Sequence, residues 1–320
     1  MKNALPPACR LAAVSLLALT ALSVNAAVVF QADFSGSGGG TGGAADIVAL
    51  GGTGVISNTN SSLSNVTASV DSTVPLVAGG GSYLRLNDQG VQSSARAAGV
   101  TVTPASAASS FDSWYANTSG TTGFDTLNGG FDFLFRTTSS ADLDKDTLRF
   151  FDVGVTGVPY RLALSSTLGD KLSLALNQNG TNIARATSAV VNLSANTTYR
   201  IAGTLSTSAG GLVTVNLYLA AGDTVIDTTS TTHRIATSTS SVVLDAGNSI
   251  SSSFGTAGGF TLGMTSNIDA DTKTLDLDSF RIYNAVPATF DGISSIPEPG
   301  SFALVLGGLV GLGVCLRRRR

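Results

Sequence analysis

Apolar residues occupy every second position along much of the chain between residues 28 and 283. Phe131, Phe133 and Phe135 form one such series. Because successive side chains of a strand leave opposite faces, this alternation predicts β-strands, whereas the pattern gives no convincing helix in this range. The other series are Tyr160, Leu162 and Leu164; Leu172, Leu174 and Leu176; Tyr199, Ile201, Gly203 and Leu205; Val213, Val215, Leu217 and Leu219; Phe260, Leu262 and Met264; and Phe280 and Ile282.

Short turn signals separate these strands. Asn179-Gly180 lies between two of the series, and both residues tolerate the positive φ of a type I′ hairpin turn. Gly210-Gly211 predicts a second hairpin. Strands at this spacing predict an all-β fold, a sandwich or a barrel, in one domain of residues 27–290. The Gly-, Ser- and Asn-rich segments 35–43 and 49–64 predict either long surface loops or edge strands.

The N-terminus has the composition of an export signal. Lys2 and Arg10 precede an apolar run of residues 11–22, and Val24-Asn25-Ala26 supplies small residues where a signal peptidase reads. The alternative is an N-terminal transmembrane helix, but the run is too short to cross a bilayer easily. The sequence therefore predicts a signal peptide of residues 1–26 and cleavage by signal peptidase after Ala26.

The C-terminus combines three features in a fixed order. Pro297, Glu298 and Pro299 come first, an apolar run of residues 302–316 follows, and four arginines end the chain. Prolines spaced in this way keep the first part extended, which suits a protease that binds strands. The apolar residues that would form the membrane anchor are Phe302, Leu304, Val305, Leu306, Leu309, Val310, Leu312, Val314 and Leu316, and the residues that would fix its end in the cytoplasm are Arg317, Arg318, Arg319 and Arg320.

The length of this apolar run favours temporary anchoring. As a helix it spans roughly 22 Å at about 1.5 Å per residue, less than the hydrocarbon core of about 30 Å. Its glycines weaken the helix further, although the arginines can snorkel to the interface. The alternative is a permanent single-pass anchor.

The order of the three features resembles the PEP-CTERM sorting signal of Gram-negative bacteria, with Ile296 where Val is usual and Gly300 where a small polar residue is usual. The resemblance implies that residues 291–320 are a sorting signal and that an exosortase is the processing partner. It also implies transient anchoring in the inner membrane and a destination at the cell surface or in an exopolysaccharide matrix.

Composition narrows the choice of partner and chemistry. The net charge is −3 and 12% of residues are charged, so the basic face that nucleic acid requires is not predicted. Cys9 and Cys315 are the only cysteines, and neither lies in residues 27–290, so no disulfide is predicted there.

Four segments of the central region resemble the concanavalin A-like lectin/glucanase jelly roll of the laminin G-like type. They are residues 81–86, residues 130–135, residues 193–219 with their Gly-Gly turn, and residues 277–283. The resemblance implies a two-sheet antiparallel jelly-roll sandwich. It also implies that the closing strand, residues 277–283, pairs with a first strand in residues 28–34, and it suggests a structural calcium between Asp33 and Asp278.

The residues that most hydrolases use for acid–base chemistry are scarce. Glycosidases of this fold use paired glutamates, but Glu298 in the tail is the only glutamate of the chain. His233 is the only histidine, so neither a Ser-His-Asp triad nor a multi-histidine metal site can be assembled. The sequence therefore predicts a protein that is not an enzyme, with an Asp-dependent hydrolase as the remaining enzymatic alternative.

Two constellations are candidate ligand sites. Asp142, Asp144 and Asp146 alternate as calcium ligands do, but the glycine and glutamate of a calcium loop do not follow, and the alternative is a solvated loop. Asp269 and Asp271 make a similar case. The adjacent Trp114 and Tyr115 predict either a stacking surface for sugars or aromatic packing onto the sandwich.

The sequence thus predicts an exported, non-enzymatic surface or matrix protein that needs no cofactor other than a potential calcium ion. The alternative function is a carbohydrate-binding module that acts on exopolysaccharide.

Overall fold

The structure of the protein is a computed structural model that describes residues 26–32, 34, 52–58, 66–78, 81–89, 98–104, 114–116, 118–138, 148–153, 160–167, 169–244, 260–265 and 272–291. These residues form one short helix, α1 (Ser119–Thr122), and nineteen strands. The strands are β1 (Val28–Ala32), β2 (Gly52–Asn58), β3 (Val66–Asp71), β4 (Tyr83–Gln89), β5 (Ala98–Pro104), β6 (Tyr115–Ala116), β7 (Thr126–Leu127), β8 (Gly129–Thr137), β9 (Leu148–Val153), β10 (Tyr160–Thr167), β11 (Lys171–Gln178), β12 (Thr181–Thr187), β13 (Thr198–Thr207), β14 (Leu212–Ala221), β15 (Ile226–Asp227), β16 (Arg234–Val243), β17 (Phe260–Thr265), β18 (Thr272–Tyr283) and β19 (Thr289–Phe290).

Two antiparallel sheets make up most of the fold. Sheet A has the order β16-β14-β13-β8-β18-β4-β3, and β1 also pairs with β18. Sheet B has the order β12-β11-β10-β9-β17-β5-β2. The first and last long strands of sheet A pair as the family resemblance implied, with Val28 opposite Tyr283 and Gln31 opposite Arg281.

The core lies between the two sheets and is rich in phenylalanine. The ring of Phe131 on sheet A meets that of Phe151 on sheet B edge to face, with centroids 4.5 Å apart. Phe135 meets Phe150 in the same manner at 5.1 Å. Such pairs contribute about 0.5–1.5 kcal/mol each beyond the area they bury. The prediction of an all-β antiparallel sandwich is confirmed.

The predicted hairpin turns are also present. Asn179 and Gly180 have φ values of 49° and 79°, as a type I′ turn between β11 and β12 requires. Gly211, with φ 81°, lies in the turn between β13 and β14. Within the Gly- and Ser-rich segment 49–64, residues 52–58 form β2 at the edge of sheet B, which agrees with the edge-strand alternative.

Strand β8 differs from the simple alternation that its sequence predicts. All nine of its residues are buried, including Asp132 and Arg136, which point away from the sandwich core. Charged side chains are buried on this outer face because two other segments of the chain lie over it. The first is residues 71–78 and the second follows β18.

Candidate functional site

The chain folds back over the outer face of sheet A after β18. Residues 284–291, called the strap below, end in β19, in which Phe290 pairs with Ile226. The Oγ1 of Thr228 donates to the carbonyl of Pro287 at 2.6 Å. Phe290 is fully buried, and the centroid of its ring lies 5.3 Å from the centroid of the Tyr283 ring. The strap is therefore a fixed part of the fold up to its last residue.

Two arginines hold the end of the strap. Arg281 Nη2 donates to the carbonyl of Asp291 at 2.7 Å. Arg200 Nη1 donates to the carbonyl of Phe290 at 3.0 Å and also to that of Asp291. These contacts fix the position of Asp291, from which the predicted C-terminal tail continues in sequence.

A single buried carboxylate balances these two cations. Asp132 accepts from Arg281 Nε at 2.9 Å and from the hydroxyl of Tyr283 at 3.2 Å, and its Oδ2 lies 3.5 Å from Arg200 Nη1. Burial lowers the pKa of Arg200. For Arg281, burial acts in the same direction, but the attraction and hydrogen bonds of Asp132 outweigh it and raise the pKa. Burial, with the negative charge of Asp132, also raises the pKa of Tyr283. The arrangement stabilises the strap and is closed to a large substrate.

The other half of the outer face of sheet A is covered by residues 71–78. Asp276, fully buried, accepts from Arg136 Nη2 at 2.8 Å and from Arg85 Nε at 2.8 Å. Arg136 also donates to the carbonyl of Val74 at 2.9 Å, so the ion cluster holds this covering segment. The hydrogen bond and charge of Asp276 outweigh desolvation and raise the pKa of Arg85. The Tyr83 ring lies 5.2 Å from both guanidinium carbons, within the range of cation–π attraction.

Trp114 belongs to the core. Only 2% of its surface is exposed, and its Nε1 donates to the carbonyl of Tyr283 at 2.5 Å. The indole lies against Gly129, where any Cβ would overlap its ring. Its faces are therefore not available for sugar stacking, and its placement agrees with the packing alternative. The side chain of Tyr115 lies outside the described part of the structure.

The outer face of sheet B has a different character. Leu162, Leu164, Leu174 and Leu176 point into the core, so the residues between them form the outer face. The small side chains on this face form cross-strand pairs, in which Ala163 and Ser165 are half-buried and their partners Ala175 and Ser173 are buried.

One ion pair lies among these small residues. The partly exposed Arg161 donates from Nε to Asp152 Oδ1 at 2.8 Å and pairs also through Nη2. This bond, together with the charge of Asp152, outweighs burial and raises the pKa of Arg161. The exposed Arg185 stands opposite Ala175 at the neighbouring edge strand. The exposed part of Arg161 and the side chain of Arg185 can contact a polar ligand, whereas Asp152 is buried.

Several predicted site residues cannot be placed. Asp142, Asp144 and Asp146 lie outside the described residues, as do the motif Pro297–Pro299, the apolar run 302–316 and the terminal arginines. Among the residues that the structure describes, no group of three or more potential ligands is positioned to hold a metal ion. In the same part of the chain no helix is long and apolar enough to cross a membrane.

The ion cluster around Asp132 was not predicted from the sequence. The sequence signal for segments packed against β8 was the pair Gly129 and Gly130, because glycine within a strand often marks the close approach of another segment. Trp114 packs on the first of them. A Cβ on the second would lie 2.9 Å from Pro287 of the strap.

Fold and tail together define a β-sandwich protein that ends in a sorting segment. The family model of the PEP-CTERM protein-sorting motif matches residues 295–320. The resemblance based on Pro297, Glu298 and Pro299 is thus confirmed. The motif indicates export and exosortase-dependent sorting to the cell surface. No curated protein matches the sequence.

Solved structures with a similar fold share little sequence with this chain. The endo-beta-1,4-glucuronan lyase of the fungus Trichoderma reesei is 10% identical, with a TM-score of 0.47, and the match covers 80% of this chain and 95% of the lyase. The binding domain of botulinum neurotoxin serotype C1 is 10% identical, with a TM-score of 0.44 and coverage of 81% and 48%. The PL-14 alginate lyase of Aplysia kurodai is 10% identical, with a TM-score of 0.40 and coverage of 67% and 86%.

The prediction that the protein is not an enzyme is contradicted, because the solved structures to which this chain is similar include a glucuronan lyase and an alginate lyase. The missing glutamate pair excludes one glycosidase mechanism and leaves other chemistries untouched. Likeness at this level of identity assigns no reaction to this chain.

Proposed function

We propose that this protein is exported, held briefly at the inner membrane by residues 302–316, cut at or near Pro297–Pro299 by an exosortase, and released to the cell surface or matrix. The observation that carries the proposal is the match of the PEP-CTERM sorting motif to residues 295–320. The sandwich is the cargo that this tail delivers.

The end of the strap supports this division of roles. Asp291 is fixed to the sandwich by Arg200 and Arg281, and only residues 292–296 separate it from Pro297. The six residue steps from Asp291 to Pro297 can extend over at most about 22 Å. Cleavage within the motif would therefore occur within this distance of Asp291 and would remove no residue of the strap.

The Glu298→Gln variant tests the proposal. It removes the only glutamate and with it the charge of the motif, so we expect the protein to accumulate in the membrane fraction with residues 317–320 still attached. Asp291→Asn is the matched control, because it removes one negative charge outside the motif and leaves the backbone carbonyl that the arginines bind. Mass spectrometry of the C-terminus in membrane and released fractions gives the measurement.

Release of wild-type protein that still carries Arg317–Arg320 would contradict the sorting proposal. Equal release of wild type and Glu298→Gln with cleaved tails would show that the protease does not read this residue.

A second candidate function is binding to the exopolysaccharide of the matrix. The observation that favours it is the outer face of sheet B, where Arg161 is partly exposed beside Asp152 and Arg185 is exposed. Guanidinium groups bind hydroxyl and carboxylate oxygens of sugars through several donors at once. The outer face of sheet A is unsuited to this role because residues 71–78 and the strap cover it.

Affinity electrophoresis through gels containing the organism's own exopolysaccharide tests this function. We expect wild-type protein to be retarded and the Arg185→Gln variant to be retarded less. Arg234→Gln, the same change at an exposed arginine of β16 in sheet A, is the control and should behave as wild type. Equal mobility of all three proteins with and without polysaccharide would rule out binding at this face.

A further inference from the structure

Arg200 is a buried cation whose hydrogen bonds lead to the strap. Only 1% of its surface is exposed, and its Nη1 donates to the carbonyls of Phe290 and Asp291. Within the part of the chain that the structure describes, its Nε and Nη2 have no hydrogen-bond partner. Because buried donors in folded proteins are nearly always paired, two unpaired donors on one guanidinium are unusual.

Charge balance does not account for Arg200 either. Arg281 already binds both carboxylate oxygens of Asp132, through its Nε and Nη2. Arg200 Nη1 lies 3.5 Å from Asp132 Oδ2, beyond the usual N–H···O distance of about 2.7–3.2 Å. The two guanidinium groups and the one carboxylate carry a net charge of +1, so Arg200 is the cation in excess.

An arginine in this state is a cost to the fold. Burial of a charge with unpaired donors is unfavourable, and apolar residues of similar volume often replace buried ionic groups without loss of stability. Burial lowers the pKa of Arg200, which agrees with incomplete compensation of its charge. If methionine replaced Arg200, Arg281 and Asp132 would remain as a balanced pair. Stability therefore does not explain why an arginine occupies this position.

The position of Arg200 on the strap indicates another role. Other contacts hold the earlier part of the strap, where Asn284 bonds to Ala27 and the carbonyl of Pro287 accepts from Thr228. Arg200 binds the carbonyls of the last two strap residues, from which the tail continues. A protease that binds the tail as an extended strand can advance only as far as the chain detaches from the sandwich. Arg200 acts where that detachment would begin.

We propose that Arg200 is a positioning residue that stops proteolysis of the tail at Asp291 and so sets the C-terminal boundary of the folded protein. A peptide bond beyond Asp291 is hydrolysed with one water to a carboxylate and an amine. The bonds before it are withheld from the protease because the strap stays closed. This inference goes beyond the proposed sorting function, since it concerns any protease that reaches the tail and does not require cleavage at Pro297–Pro299.

Digestion of the full-length protein in detergent micelles with proteinase K tests the proposal. Mass spectrometry follows the rate at which residues 284–291 are lost. We expect digestion of wild type to remove residues beyond Asp291 and to stop there. The Arg200→Met variant should lose residues 284–291 at least about tenfold faster, because the end of the strap then opens more often.

Two further variants separate position from charge. Arg200→Lys keeps the charge but lacks the planar fork of donors, so its rate of strap loss should lie between those of wild type and Arg200→Met. Arg234→Met is the control, because Arg234 is an exposed arginine of β16 in the same sheet, and its digestion should match that of wild type.

Thermal melts supply a readout that distinguishes positioning from stabilisation. Arg200→Met leaves the balanced pair of Arg281 and Asp132, so we expect it to melt at or above the temperature of wild type. Asp132→Asn leaves two buried cations without a counter-charge and should melt at a lower temperature.

Three results would overturn the proposal: digestion of wild type that continues through the strap, equal rates of strap loss in wild type and Arg200→Met, or a melting temperature of Arg200→Met as low as that of Asp132→Asn. Sorting of Glu298→Gln like wild type would contradict the sorting proposal and would leave these measurements unaffected. The two proposals therefore fail separately.

Discussion

Replacement of Asp132 by asparagine tests how the strap is held. The change keeps the size of the side chain and removes the charge that balances Arg200 and Arg281. Loss of one partner of a buried ion pair typically costs about 3–5 kcal/mol, because the other charge stays buried. Since a domain is stable by only about 5–15 kcal/mol, the expected effect is a large fraction of the total.

Urea unfolding followed by tryptophan fluorescence measures this effect. Trp114 is the only tryptophan and its indole N–H is bonded to the carbonyl of Tyr283, just before the strap, so its emission reports on this part of the fold. We expect the midpoint of unfolding to fall while the slope with denaturant stays constant. Asp227→Asn is the control, because Asp227 is exposed and its carboxylate accepts from the N–H and the hydroxyl of the nearby Thr229.

If Asp132→Asn lowers the free energy of unfolding by less than about 1 kcal/mol, which is no more than an ordinary hydrogen bond contributes, the reasoning is refuted. A triple variant, Asp132→Leu with Arg200→Met and Arg281→Met, separates charge balance from packing, because it removes all three charges of the cluster. Replacing a buried ion pair or triad by apolar residues of similar volume is often close to neutral. We therefore expect the triple variant to be more stable than Asp132→Asn.

Two further predictions concern this region. Burial raises the pKa of Tyr283 in the folded protein. The stability that depends on the protonated phenol is therefore complete below the ordinary tyrosine pKa of about 10 and is lost as the pH rises above that value. Tyr283→Phe should make the free energy of unfolding fall less steeply between about pH 9 and 11, and an equally steep fall would contradict this assignment. Gly129→Ala places a methyl group in the Trp114 indole and should lower stability by about 1–3 kcal/mol in thermal melts, whereas Gly81→Ala, where the space is open, should change it little.

The strands could be predicted because the alternation of apolar and polar side chains is visible within each short stretch of sequence. The alternation of Phe131, Phe133 and Phe135 requires a strand with one face in a core, and Asn179-Gly180 requires a tight turn. The pairing of the first strand with the last joins residues more than 250 positions apart in the chain, for example Val28 and Tyr283. Such a contact has no local signature, and only the family resemblance implied it.

The burial of charges on the outer face of sheet A could not be predicted in the same way. A period of two shows which residues share a face of a strand, but not whether another segment covers that face. Asp132 and Arg136 therefore resembled ordinary solvent-facing residues of β8. Trp114 was ambiguous for the same reason, since a large ring can stack on a sugar or fill a gap above glycine.

The covering of one face determines where binding or catalysis could take place on the sandwich. On sheet A the ion pairs of Asp132 and Asp276 are buried beneath the strap and residues 71–78, so a polysaccharide would have to displace parts of the fold to reach them. On sheet B Arg161 remains partly exposed beside Asp152. Variants on the outer face of sheet B therefore test polysaccharide binding, whereas variants of the Asp132 cluster test stability.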